Sequence, residues 1–390
     1  MKRRQFLQLV SAAGIAASSG RPDLAFAATP AARADYRRLL VLIELKGGND
    51  GLNTLIPYAD SNYYALRPKL AIPKDQVLQL DERFGLHPEM AALLPLWRDK
   101  QLAVVRGVGY PDPNLSHFRS IEIWDTASSS NEYLQSGWLT RAFSSTPTPK
   151  SFAADGVIVG SNDLGPLLGG GTRAIALNNT EQFLRQARLA APQGQASNPA
   201  LSHILKVEAD IQQAALNLDT RHEFTTEFPR GAFGNSVRTA CQVVANRAGV
   251  AVVRVTLGGF DTHQNQLPVQ ARLLMDLAEG IAAFRSALTE LGRWDSTLLM
   301  TYAEFGRRPQ ENMSGGTDHG TASVHFATGG RVAGGFHGEQ PSLAQLDGQG
   351  NTAFGLDFRS LYATALERWW EMPSKGLLGG QFAALDLIRA

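Results

Sequence analysis

The chain holds a single cysteine, Cys241. No intramolecular disulfide can therefore brace it, even in a compartment that would permit one. Cys241 lies in Ala240-Cys241-Gln242-Val243-Val244-Ala245, a run that suits a helix and a small core side chain. Charge of one sign is equally scarce. Lysine and arginine number 37 against 36 acidic residues, and the formal net charge is +1 with no long basic run. That balance removes the electrostatic case for nucleic acid or an anionic membrane as partner. No stretch reaches the roughly 20 apolar residues needed to span a bilayer. Glycine-rich Leu164–Gly171 lacks the phosphate-loop and dinucleotide spacings and reads as loop. No internal repeat is visible. What remains is an ordinary globular balance, 44% hydrophobic and 19% charged, able to bury a large core.

The first residues read as a targeting segment. Lys2-Arg3-Arg4-Gln5-Phe6-Leu7-Gln8 has the form of a twin-arginine signal, followed by the short apolar stretch Leu7–Ala17. Ala25-Phe26-Ala27 supplies small residues for cleavage, so a mature chain is expected to begin near Ala28. The expected organisation is a signal peptide over 1–27, a linker over 28–37 and an α/β domain over 38–390. The expected partner for export is the twin-arginine machinery, and the expected destination is periplasmic or extracellular.

Strand and helix signals alternate through the rest. Leu39–Leu45, Leu102–Val108, Val252–Leu257 and Leu298–Ala303 are nearly continuous apolar runs, as strands covered on both faces should be. Val324–Thr328 reads as a further strand. Helices are expected over Leu86–Lys100 with Pro88 in its first turn, over Phe118–Thr126, over Pro268–Leu291 and over Asp357–Trp370. Leu201–Leu218 and Phe233–Ala248 also look helical, and 196–246 is read as a helical insertion able to cover a site. The pattern predicts a doubly wound, mainly parallel sheet with helices on both faces.

Each of the four apolar runs ends in side chains that ligate metals or attack electrophiles, and in such sheets ligands gather outside the carboxyl ends of the strands. Asp50 lies in Gly47-Gly48-Asn49-Asp50-Gly51, where it can serve as a turn or cap residue or as a metal ligand. The flanking glycines would allow close backbone approach to a ligand. Ser116 can be a helix N-cap or a nucleophile at a helix start, where free N–H groups favour anions. His117 beside it can touch substrate or fill a polar pocket. Asp261 and His263 are two apart and would share one side of an extended segment, a moderately specific metal pattern. Glu304 can ligate or act as a base. Arg307 can clamp an oxyanion or form a surface ion pair. Asp318 and His319, in Gly316-Thr317-Asp318-His319-Gly320, form a plausible ligand pair in a turn. His325 reads as structural.

Taken in order, Gly47-Gly48-Asn49-Asp50-Gly51-Leu52-Asn53-Thr54, Ser116-His117-Phe118, Phe260-Asp261-Thr262-His263, Glu304-Phe305-Gly306-Arg307 and Gly316-Thr317-Asp318-His319-Gly320, after the twin-arginine start, resemble the exported domain-of-unknown-function 1501 family. That family looks related to the alkaline phosphatase and sulfatase superfamily. The resemblance implies an alkaline phosphatase-like α/β fold, a Ser/Thr-type nucleophile and Asp/His ligands for one or two divalent metals. It gives Asp50 the role of first-strand metal aspartate, Ser116 that of nucleophile, and Asp261 with His263 that of the ligand pair. The superfamily's next Asp-His pair is replaced here by Glu304-Phe305, and phenylalanine cannot ligate. Asp318-His319 stands in for that pair, or His319 is a late third histidine, the alternative that motif order favours. The function so implied is metal-dependent hydrolysis of small anionic phosphate or sulfate esters. Its alternative is a non-catalytic exported binding or assembly protein on a decayed hydrolase scaffold.

Overall fold

The strand β1, Leu39–Lys46, shows how the sequence builds two cores from one sheet. Its alternate residues Leu39, Val41, Ile43 and Leu45 enter one apolar layer, while Leu40 and Leu42 enter the other. Both faces are therefore covered, and a continuous hydrophobic run is the result. The computed structural model describes residues 34–177, 222–246 and 248–389. The signal-like segment 1–27, residues 28–33 of the expected linker and residues 196–221 of the expected insertion, with the helix expected over Leu201–Leu218, lie outside them. Ala34–Ala390 forms one compact unit.

After β1 come β2 (Leu102–Gly109), α1 (His117–Thr126), α2 (Trp138–Ser145), β3 (Ala154–Val159), β4 (Ala174–Leu177) and α3 (Ala232–Val244). Then follow β5 (Val250–Gly258), α4 (Gln266–Glu290), β6 (Thr297–Tyr302), β7 (Gly306–Glu311), β8 (Thr317–Gly320), β9 (Ser323–Thr328), β10 (Gly335–His337), β11 (Leu356–Asp357) and α5 (Arg359–Ala363). The stretch Pro88–Arg98 is a 3-10 turn running into a short α-helix, capped by His87, rather than one continuous helix. The last helix is short as well, because Thr364–Trp369 continues α5 with π-helical geometry.

The main sheet runs in the order β10-β2-β9-β6-β1-β5-β3-β4, with β11 also on β2. All its pairings are parallel except those of β9, which lies antiparallel between β2 and β6. The mainly parallel, doubly wound reading is therefore correct. The reason for the exception is local. After β6 the chain does not cross back through a helix; it makes the antiparallel hairpin β7–β8 and then re-enters the sheet from the same end. A strand entering from the rim must run antiparallel to its neighbours.

One apolar layer packs α3, α4 and the Pro88–Arg98 stretch against the sheet; Met90, Val237, Cys241, Leu277 and Phe284 fill it. Cys241 is thus a core residue, as expected, and burial pushes its thiol pKa up. The other layer holds Ile123, Trp124, Leu139, Tyr362, Trp369 and Trp370 from α1, α2 and the terminal helix. The two adjacent tryptophans donate their indole N–H groups to Leu39 O and Arg38 O, which ties the chain's end to the start of β1. Among the described residues, no helix is long and apolar enough to cross a membrane.

Candidate metal centre

The carboxyl ends of β1, β5 and β6 lie side by side, since Lys46 pairs Gly258 and Glu44 pairs Tyr302. The three loops that follow pack so tightly that side chains are excluded. A Cβ on Gly47 would lie 2.4 Å from Asp261 N, and one on Gly48 would lie 2.5 Å from the Phe305 ring. Both glycines also hold positive φ, +117° and +79°, a region that favours glycine. The glycine pair therefore serves loop against loop rather than backbone against a ligand.

Arg307, on β7, ties the same loops. It is buried, and it donates to the carbonyls of Gly48 (2.8 Å), Thr317 (2.9 Å), Phe260 (3.0 Å) and Gly47, and to Asp261 Oδ1 (2.8 Å). Arg307 thus holds the rim loops and Asp261 together.

On this frame three histidines converge on Asp261. His319 Nε2 lies 3.2 Å and His263 Nε2 lies 3.0 Å from Asp261 Oδ1, and His117 Nε2 lies 3.4 Å from Oδ2. The ligating atoms of His117, Asp261 and His319 all lie within 4.8 Å of one another. Each imidazole is held from behind at Nδ1. His319 Nδ1 bonds Leu115 O at 2.8 Å, His117 Nδ1 bonds Glu304 Oε1 at 2.9 Å, and His263 Nδ1 faces Asp318 Oδ1 at 3.4 Å. Holding Nδ1–H on an acceptor turns the Nε2 lone pair outward, the usual arrangement behind a metal-bound histidine. His263 Nε2 and His319 Nε2 are 2.9 Å apart. Two lone pairs at that distance repel unless a proton or a cation lies between them.

The spacing suits a cation. Tetrahedral ligands about 2.0–2.1 Å from a zinc ion lie roughly 3.3 Å from one another. Asp261 lies 3.0 to 3.4 Å from the three imidazoles and His263 lies 2.9 Å from His319, while the cluster whose ligating atoms all lie within 4.8 Å is His117, Asp261 and His319, without His263. The electrostatics suit it as well. Burial acts to raise the Asp261 pKa, but hydrogen bonds from Arg307 and His319 and the charges of Arg307 and His117 outweigh it, bringing it down to about 2. Burial lowers the pKa of His319 despite its bonds to Leu115 O and Asp261. An ionised carboxylate beside a neutral imidazole is the donor state a metal needs.

The remaining expected site residues take other places. Asp50 lies outside the cluster of His117, Asp261 and His319. Its side chain and that of Arg67 are wholly buried and paired, Oδ1 with Nη2 at 2.9 Å and Oδ2 with Nη1 at 2.5 Å. Gln266 Nε2 donates to Oδ2 at 2.5 Å and Leu52 N to Oδ1 at 3.1 Å, so both oxygens are already engaged. Glu304 lies behind His117, not beside Asp261. Its Oε1 also accepts from Gly47 N at 2.9 Å, while its buried Oε2 has no partner. Asp318 likewise stands behind His263 and accepts from Asn312 Nδ2 at 3.2 Å, which with His263 lowers its pKa. Asp318 and His319 belong to strand β8, not to a turn. Ser116 is exposed at the N-cap position of α1, and its hydroxyl makes no capping bond.

His117 is the site residue that sequence reasoning left unassigned. It follows the apolar run Leu102–Val108 and lies in the Ser116-His117-Phe118 motif, but nothing in the sequence says that the first helical residue, and not the cap, reaches the centre. His325, read as structural, is buried in β9 against Trp124, with rings 5.3 Å apart.

No curated protein matches the chain as a relative. Solved structures with partial likeness include the C-terminal periplasmic domain of EcEptC from Escherichia coli in complex with zinc, 11% identical, covering 76% of this chain and 75% of that one, with a TM-score of 0.39. An alkaline phosphatase superfamily protein from Vibrio parahaemolyticus is 9% identical over 90% of this chain and 71% of its own, with a TM-score of 0.41. The phosphonate monoester hydrolase SpPMH from Silicibacter pomeroyi is 11% identical over 88% and 75%, with a TM-score of 0.42. Residues 37–378, nearly the whole described chain with all the loops of this centre, match the profile of the family described as protein of unknown function (DUF1501), and the chain belongs to that family.

Proposed function

We propose that the chain is an exported metal-dependent hydrolase of phosphate or sulfate esters on an alkaline phosphatase-like scaffold. The observation that carries this reading is the convergence of three Nδ1-anchored histidines on Asp261. In it, His117, His263, His319 and Asp261 hold one divalent ion. A set rich in imidazole suits zinc far better than magnesium or calcium, which prefer oxygen. When bound, the ion polarises the ester's phosphoryl or sulfuryl oxygen and makes a nearby hydroxyl more acidic.

Ser116 is the nucleophile in this reading. It stands between Leu115, whose carbonyl holds His319, and His117, which belongs to the centre. The free N–H groups at the start of α1 stabilise the negative charge of the reacting group. Glu304 and Asp318 orient His117 and His263. Arg3 and Arg4 direct export, with cleavage near Ala27–Ala28, and the mature chain works in the periplasm or outside the cell.

The test compares wild type with Ser116→Ala on aryl phosphate and aryl sulfate, alongside elemental analysis. The variant should keep its metal and lose turnover, because only the attacking oxygen is removed. The Asp50–Arg67 pair favours a second reading. A guanidinium occupies the carboxylate that the superfamily resemblance gives to a metal, as on a scaffold retained for binding. Metal-replete wild type without activity on a broad ester panel would support that reading instead.

A further inference from the structure

The tip of the β7–β8 hairpin lies against the loop that carries His263. Thr317 N donates to Thr262 O at 3.2 Å and Gln266 N to Gly315 O at 3.0 Å, so the two are bonded on either side of His263. The approach is close: a Cβ on Gly316 would lie 2.3 Å from both Thr262 O and His263 C.

Asn312, directly after β7, joins this tip to the centre through its side chain. An asparagine amide offers two N–H donors and a carbonyl oxygen with two lone pairs. Here all four are taken. Nδ2 donates to His263 O at 2.9 Å and to Asp318 Oδ1 at 3.2 Å. Oδ1 accepts from Ser314 N at 2.9 Å and from Gly316 N at 3.1 Å. Turning the amide over would set its oxygen against two acceptors and its NH2 against two donors, so one orientation is allowed. The Asp318 oxygen that it holds is the one facing His263 Nδ1 at 3.4 Å. Asn312 therefore grips His263 twice, at its backbone and through the carboxylate behind its ring.

The other two histidines need no such help. His319 leans on a main-chain carbonyl, and His117 on the buried Glu304. His263 is the most exposed of the three, 42% against 35% for His117 and 20% for His319, and its partner Asp318 is itself 50% exposed. A carboxylate so open to water holds an imidazole in place only if it is held in turn.

We propose that Asn312 is the positioning residue that makes His263 a ligand. By fixing Asp318 Oδ1 behind the ring and His263 O beside it, Asn312 keeps the ring proton on Nδ1 and turns Nε2 toward the ion. The inference rests on the metal-centre reading and adds to it a residue that touches neither ion nor substrate. Serine at this position could still accept from the turn, but its hydroxyl has one donor where the amide has two.

The experiment uses full-length protein. It reads zinc affinity by competition with a chelator and, in the metal-free chain, the nitrogen NMR shift of His263 Nδ1. Asn312→Ser should weaken zinc binding about 10–100-fold, the usual cost of losing an orienting partner. In a His263→Ala background the same substitution should cost nothing more, because the residue it acts through is gone. The wild-type Nδ1 shift should be that of a protonated nitrogen and should move toward the unprotonated value in Asn312→Ser. Equal losses of affinity in both backgrounds would mark Asn312 as a residue of the fold alone and overturn the proposal. Full zinc affinity or an unmoved Nδ1 shift in Asn312→Ser would overturn it as well. Wild type that takes up no zinc, while its Nδ1 shift still responds to Asn312→Ser, defeats the metal-dependent hydrolase reading and leaves Asn312 as the residue that orients His263.

Discussion

His263 is the residue on which most of the geometry depends, since it touches Asp261, His319 and Asp318 together. His263→Ala should weaken metal binding by at least the roughly 10–100-fold that losing an orienting partner alone costs, read by competition with a chelator. Glu304→Gln should cost about that amount, because the carboxylate behind His117 becomes a neutral amide. Asp50 should behave otherwise. Arg67→Met leaves its carboxylate buried and unpaired, so about 3–5 kcal/mol of stability should be lost in denaturant titration with the metal content of the folded fraction unchanged. Loss of metal from folded Arg67→Met would return Asp50 to the ligand set. Legibility divides along the same lines. Asp261, His263 and His319 follow buried strands or sit in a recognisable motif, so their convergence was readable. Asp50 looked like a ligand because its partner Arg67 is 17 residues away, just after the short helix Ser61–Leu66 that no local pattern announces. His117 went unassigned because its role depends on the rotation of α1.

At the scale of elements, continuous apolar runs gave β1, β2, β5 and β6 almost to the residue. β3 and β4 escaped because Asp155 and Gly156 break the first and the second is only four residues long beside a glycine-rich loop. The direction of β9 was not legible either, because it follows from the hairpin before it and not from its own sequence. That strand also carries a titration signature. Burial drives the His325 pKa down to about 3, and burial brings that of His87 down to about 4. Unfolded histidine titrates near pH 6.5, so below that value the unfolded chain binds protons that these folded residues refuse. Their contribution to stability is complete above about pH 6.5 and falls as pH drops toward their folded pKa values, by about 1.4 kcal/mol per pH unit for each site. Denaturant melts at pH 7 and pH 5 should show this loss, and His325→Phe should lessen it. An identical slope in that variant would place the pH dependence elsewhere.

For the whole molecule, the fold brings residues 47, 117, 261, 304 and 319 to one end, an end the sequence pointed to because four of the motifs follow apolar runs that suit parallel strands. Which loops face inward was not legible, because Arg67 and Arg307 redirect Asp50 and the rim by contacts far apart in sequence. Export is an expectation at this scale: Arg3→Lys with Arg4→Lys should strand the precursor in the cytoplasm, and unchanged export would refute the twin-arginine reading. The metal content of the natively exported chain, by elemental analysis, tests the central claim most directly. One divalent ion per wild-type chain is expected, lost in His263→Ala and kept in Asp50→Asn. Metal-free wild type, or two ions of which Asp50→Asn loses one, would contradict it.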